Sequence, residues 1–163
     1  MKNICLISCT HRALQKLTLL AAIGRSVLLL ALRLLYGGQY ILTGHGKLVH
    51  LGRTAQFFAS LHLPAPGFQA VLVGCNEFFG GILLVLGLGT RFATVPLTIS
   101  MIVAYLTAER ADAFQSLDNF TSAAPFQFLL ACLLLMAFGP GRASVDALLA
   151  SWFKKRLAAQ SDR

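Results

Sequence analysis

Four apolar stretches punctuate the chain, and two of them carry a charge that lipid cannot solvate. The first, 26–44, runs about 19 residues, close to the roughly 20 that cross a bilayer at about 1.5 Å rise per residue. Arg33 lies within it, followed at helical steps of three and four by Tyr36, Tyr40, Thr43 and Lys47. These five residues share one face, which must look into a protein interior or a wet cavity. The second stretch, 68–88, is about 21 residues long and holds Glu77 near its middle. A tight Gly87-Leu88-Gly89-Thr90-Arg91 turn leads into the third, 92–108, where Pro96 falls in the first turns and disturbs least. The fourth, 125–138, is about 14 residues, short for a span unless its flanks join it or it stands upright.

Between these stretches the pattern changes. Residues 1–25 mix Lys2, Arg12, Lys16 and Arg25 with a short apolar run, which predicts an interfacial leader helix on the cytoplasmic side. RTAQFFASLHLP places Phe57, Phe58 and Leu61 at helical spacing ahead of Pro64 and Pro66, predicting a short amphipathic helix in the first outer loop. Residues 109–122 form the most polar loop, with Glu109, Asp112 and Asp118 outweighing Arg110. Trp152 and Phe153, followed by Lys154, Lys155 and Arg156, read as an interfacial anchor. The expected architecture is all-α: an integral membrane four-helix bundle of residues 26–150, with the leader 1–25 before it and a basic cytoplasmic tail 151–163 after it.

Composition agrees. Hydrophobic residues make up 56% of the 163 and charged residues only 12%, and mean hydropathy is +0.70, outside the range of ordinary soluble domains. A net charge of +8 would suggest nucleic acid in a soluble protein. Here the basic residues sit at the ends of apolar segments, so topology accounts for them and no nucleic-acid partner is implied. With both termini inside, Lys2, Arg12, Lys16, Arg25, Arg91, Arg142, Lys154, Lys155, Arg156 and Arg163 are cytoplasmic, against Lys47, Arg53 and Arg110 outside. The positive-inside rule therefore selects an N-in, C-in, multi-pass topology.

Arg33 and Glu77 then fall at similar depth on antiparallel helices and are expected to pair, with Tyr36 or Tyr40 satisfying spare lone pairs. Such a pair is either a structural device that fixes register or a ligand and proton site. Thr94, Thr98, Met101, Tyr105 and Glu109 step by threes and fours along the third stretch and are expected to face the same interior. Gly37, Gly38 and Gly44, with Gly74, Gly80 and Gly81, supply small faces for close helix approach. His45, His50 and His62 match no metal-ligand spacing, and neither do Cys5 and Cys9 with His11, so no metal site is expected. Haem and nucleotide fingerprints are also missing from the sequence.

The ordered set Arg33, Gly44 and Lys47, then Glu77-Phe-Phe-Gly80-Gly81 through Gly87 to Arg91, then Ala104-Tyr105-Leu106-Thr107-Ala108, Pro125-Phe126, and Phe138-Gly139-Pro140-Gly141 with Ser144 and Asp146, resembles the DoxX family of small bacterial membrane proteins. The resemblance covers 26–149 and implies a four-helix protein of the bacterial inner membrane. It also implies a place in a redox system: some members are described as subunits of a thiosulfate:quinone oxidoreductase, others belong to thiol-homeostasis assemblies. On that reading Arg33 and Glu77 are the candidate catalytic residues. Tyr36, Tyr40, Tyr105 and Lys47 are candidate contacts to a cofactor, with quinone the cofactor considered. The partners are the lipid bilayer, a redox protein and a second copy of the chain. A non-catalytic scaffold acting through the loops near Lys47 to Pro66 and Asp112 is the alternative, and a small transporter with Glu77 as coupling group a third.

Overall fold

Lipid forces backbone amides and carbonyls to pair within one segment, and the chain responds with helices throughout. A computed structural model describes the backbone of residues 2–161 and the side chains of 18–157 and 160. Within those residues there are eight helices and no strand: α1 Lys2–Val49, α2 Leu51–Ser60, α3 Pro66–Leu86, α4 Thr90–Thr107, α5 Arg110–Ala113, α6 Leu117–Ser122, α7 Ala124–Phe138 and α8 Val145–Ser161. Three stretches among them, Thr18–Val49, Pro66–Leu86 and Thr90–Thr107, are long and apolar enough to cross a membrane; Ala124–Phe138 is a shorter apolar helix. Their outward faces carry large apolar residues, among them Val27, Leu35, Phe68, Phe79, Phe92 and Ile99, as a lipid-facing surface requires.

The α1 backbone runs through Arg25 without a break and continues past Gly44 to Val49. Residues 1–17 of the expected leader, with Cys5 and Cys9, lie outside the residues whose side chains are described, while 18–25 continue directly into the first span. The amphipathic helix appears as α2 and packs on α3. The polar loop is more ordered than expected, folding into α5 and α6, with the Ser116 hydroxyl capping α6 through the Asn119 amide.

Helix packing follows the small residues. α1 packs along α3, and α7 along α4 and α1. On the α1–α3 seam, a Cβ on Gly81 would stand 2.7 Å from Gly37 O and 2.8 Å from Ile41 N, and one on Gly44 would collide with the Phe78 backbone. Gly74 meets Leu48 in the same seam, while Gly80 faces Leu97 of α4. Gly38, expected among these, has open space around it. The buried core joins Leu29 and Tyr40 of α1, Leu84 of α3, Leu97 and Met101 of α4, and Cys132 and Leu135 of α7. Thr94, Thr98, Met101 and Tyr105 are buried along α4 as their spacing predicted, and Glu109 is partly exposed.

At one end α3 closes with Gly87 in the left-handed region (φ 69°), its amide donating to Leu83 O and Leu84 O while Leu88 N reaches Leu83 O. This is a Schellman stop, which glycine adopts without strain. The Asp146 carboxylate then accepts from the amides of Gly89 (2.9 Å) and Thr90 (3.4 Å), satisfying donors at the start of α4. Ser144 Oγ accepts from Ala147 N at 3.1 Å and caps α8.

Candidate functional site

The expected Arg33–Glu77 pair does not form. Arg33 is buried and its guanidinium donates to four backbone carbonyls: Nε to Leu84 O (2.8 Å), Nη2 to Val85 O (2.9 Å), and Nη1 to both Pro140 O (2.8 Å) and Ala143 O (2.7 Å). These carbonyls belong to the last turn of α3 and the loop after α7, where helical partners run out. Arg33 thus clamps the α3 end to the 139–144 loop. Gly87 leaves the room for it, since a Cβ there would strike the guanidinium.

Glu77 is paired instead with Lys47, whose ammonium donates to both carboxylate oxygens. The physical reason is register. The Gly37–Gly81 and Gly44–Phe78 contacts fix how α1 and α3 slide past each other, and that setting brings Glu77 opposite Lys47 and Arg33 opposite Leu84 and Val85. Ending the first span at Gly44 hid this, because it put Lys47, although on the same helical face, at the outer exit of the span and away from Glu77. The continued helix carries Lys47 back to the carboxylate.

Around the pair lies a cavity of about 150 Å³, lined by Tyr40, Thr43 and Lys47 of α1, Glu77 of α3, Met101 of α4, and Ala124, Pro125 and Phe128 of α7. Three of the sequence-predicted site residues, Tyr40, Lys47 and Glu77, meet here. Tyr40 is fully buried, its hydroxyl 3.4 Å from Cys132 Sγ and its ring edge-on to Phe128 at 4.8 Å between centroids. Tyr36 also meets the Phe128 ring edge-on, at 5.6 Å between centroids, but does not line the cavity. Tyr105 is held elsewhere: its hydroxyl donates to Phe120 O at 2.8 Å and its ring stacks on Phe120 at 4.9 Å, tying α6 to α4.

Two polar features were not singled out from the sequence. Cys132 reads as one more apolar position of α7, and a thiol has no periodic signature. Asn76, next to Glu77, donates through Nδ2 to Pro96 O (3.0 Å) and Ser100 Oγ (2.9 Å), tying α3 to α4; an amide in the middle of a span is the signal that points to it. Among the described residues, no three His, Cys, Asp or Glu side chains gather closely enough to hold a metal. The chemistry at hand is that of an ion pair and a phenol on a small cavity between four helices, with a thiol against the phenol.

Comparison with known proteins bears on this arrangement. The DoxX family model matches residues 28–110, which hold Arg33, Gly37, Gly44, Lys47, Glu77 and Gly81. Over 127 residues the chain is 33% identical to the uncharacterized membrane protein Rv3486 of Mycobacterium tuberculosis, spanning 72% of this chain and 78% of that one. It is 31% identical to the inner membrane protein YqjF of Escherichia coli over 125 residues, 74% of this chain and 90% of that one. A shorter match of 80 residues, 34% identical, is to CatD of Bacillus subtilis, provisionally named an oxidoreductase, and covers 49% of this chain and 58% of CatD. No solved structure matches the chain with significance. The glycine seam, the Arg33 clamp and the Lys47–Glu77 pair are therefore features of a membrane protein that belongs to the DoxX family.

Proposed function

We propose that the cavity beside Lys47 and Glu77 is the polar intramembrane site of a quinone-linked redox component. The observation that carries this is an ion pair facing a cavity, rather than being sealed in packing, between helices apolar enough to cross a membrane. Lys47 uses two of its three ammonium protons on Glu77 and keeps one to donate to a carbonyl oxygen. Glu77 takes the role of proton relay, and Phe128 and Met101 supply apolar walls for a ring. Arg33, four of whose five N–H groups are committed to carbonyls, acts here as a positioning residue that fixes α3. The electrons come from a partner protein or a reduced thiol or sulfur donor entering from the outer loops. The name of CatD supports the redox class without fixing the reaction.

The topology that goes with this reading has α1, α3, α4 and α7 as a four-helix bundle in the bacterial inner membrane, with N- and C-termini inside. Lys and Arg cluster at the end where Arg25, Arg91 and Arg142 lie, which supports that orientation. α7 has 15 residues, about 22 Å of helix, and joins the bundle by packing along α4.

The test is to purify the protein from native membranes and extract bound lipids. Quinone present with the wild type and lost from Glu77→Gln and Lys47→Gln is the expected result. Quinone absent throughout, with stable protein partners co-purifying, would replace this reading with that of a scaffold for a redox complex.

A further inference from the structure

We propose that the arginine-rich end of the molecule is a binding site for a phospholipid with an anionic headgroup. Three arginines surround the 138–142 loop. Arg25 Nη2 donates to Phe138 O at 3.3 Å while its guanidinium lies 5.4 Å from the Phe138 ring centroid. Arg91 stands beside Gly139, close enough that a Cβ there would be 3.6 Å from its Nε. Arg142 is exposed and makes no hydrogen bond among the described residues.

None of these three has an acidic partner, for the ion pair among the described residues is Lys47–Glu77. The nearest carboxylate in sequence, Asp146, is turned to the amides of Gly89 and Thr90. Positive charge is therefore concentrated and uncompensated where an apolar surface ends, the setting in which basic pockets between membrane helices take anionic headgroups.

The shape of the surface favours a lipid over a free anion. Two adjoining cavities share Ser26 and Arg142. One, of about 370 Å³, is bordered by Arg25, Phe138 and Gly141. The other, of about 200 Å³, is bordered by Ile23, Val27 and Leu30 and is almost wholly apolar. A phosphate between Arg25 and Arg142 would continue directly into an apolar groove, and Val27, 61% exposed, is open for an acyl chain to cover. A soluble phosphate would use the first cavity and leave the second bare.

The experiment reconstitutes the full chain in nanodiscs of phosphatidylcholine with a minor share of phosphatidylglycerol and measures, by native mass spectrometry, which lipid stays bound on release. The wild type should retain phosphatidylglycerol in preference. Arg142→Gln, whose side chain makes no hydrogen bond among the described residues, should weaken that preference about fivefold, and adding Arg25→Gln should weaken it about as much again. Lys154→Gln/Lys155→Gln, on α8, should leave it unchanged. Equal retention of the two lipids by the wild type would overturn the proposal, as would equal losses from the α8 variant. Displacement by inorganic phosphate as effective as by phosphatidylglycerol would also overturn it, in favour of a simple anion site.

Discussion

Lys47 and Glu77, thirty residues apart in sequence, are joined as a two-pronged ion pair in which the carboxylate side chain is 2% exposed and the ammonium side chain 31%. The two partners therefore differ in what happens when the other is lost. Lys47→Met strands a buried carboxylate and should cost about 3 kcal/mol of stability or more. Glu77→Leu leaves an ammonium that can extend toward solvent, so its cost should be smaller. The double variant should recover most of the loss, because an apolar pair of similar volume replaces the buried carboxylate and its half-buried partner. Thermal unfolding of all four proteins in one detergent gives the cycle; a double variant as unstable as the sum of the singles would show that the pair is not coupled.

The Arg33 clamp makes a separate prediction. Arg33→Leu strands the carbonyls of Leu84, Val85, Pro140 and Ala143, and with hydrogen bonds to charged groups contributing about 1.5–3 kcal/mol each, the loss should exceed about 4 kcal/mol. Arg33→Lys keeps the charge but lacks the planar fork that reaches four carbonyls, so it should restore only part of the stability. Asp146→Ala, which frees two amides at the start of α4, should cost about 1 kcal/mol. Unfolding midpoints, with trypsin cleavage after Arg142 as a local probe, would check this; an Arg33→Lys protein as stable as wild type would refute the fork.

The glycine seam can be tested against a built-in control. Gly81→Ala brings a methyl against backbone atoms of Gly37 and Ile41 that cannot move aside, and should destabilise by about 1–3 kcal/mol through forced helix separation. Gly38→Ala, with nothing within 4 Å, should be neutral or stabilising by up to about 1 kcal/mol through helix propensity. The two substitutions are chemically identical and differ only in face, so equal effects would remove the seam from the account.

Much of this fold was legible because lipid imposes a narrow choice: apolar stretches of the right length must be helices, and a charge inside one must be buried. Arg33 and Glu77 were both found on those grounds, and both are buried. Their partners were not legible, because register between two helices depends on which small residues meet, and the six glycines allow several alignments. Gly37 against Gly81 was the deciding contact, and nothing in the spacing favoured it over one using Gly38. His45-Gly46-Lys47 looks like the end of a span by composition, yet remains helical with Lys47 returned to Glu77. Cys132 beside Tyr40 was invisible for a different reason: a thiol among leucines looks apolar until a hydroxyl is seen beside it.

Tyr105 separates site from scaffold. It was a candidate cofactor contact by its place on the buried face of α4, but its hydroxyl is spent on Phe120 O and its ring on the Phe120 face, with Phe114 and Phe126 packed around Phe120. Tyr105→Phe removes the hydroxyl and keeps the ring, so it should leave one carbonyl of α6 unpaired at a cost of about 1 kcal/mol. The loss would be local, loosening 110–122 while the cavity 40–47 and 124–128 stays intact. Faster trypsin cleavage after Arg110, with quinone retention equal to wild type, is the expected pair of results. Tyr40→Phe should do the reverse, leaving cleavage unchanged and weakening retention. If Tyr105→Phe lost the quinone while the loop kept its protease resistance, Tyr105 would have to be returned to the site and the cavity redrawn to include it.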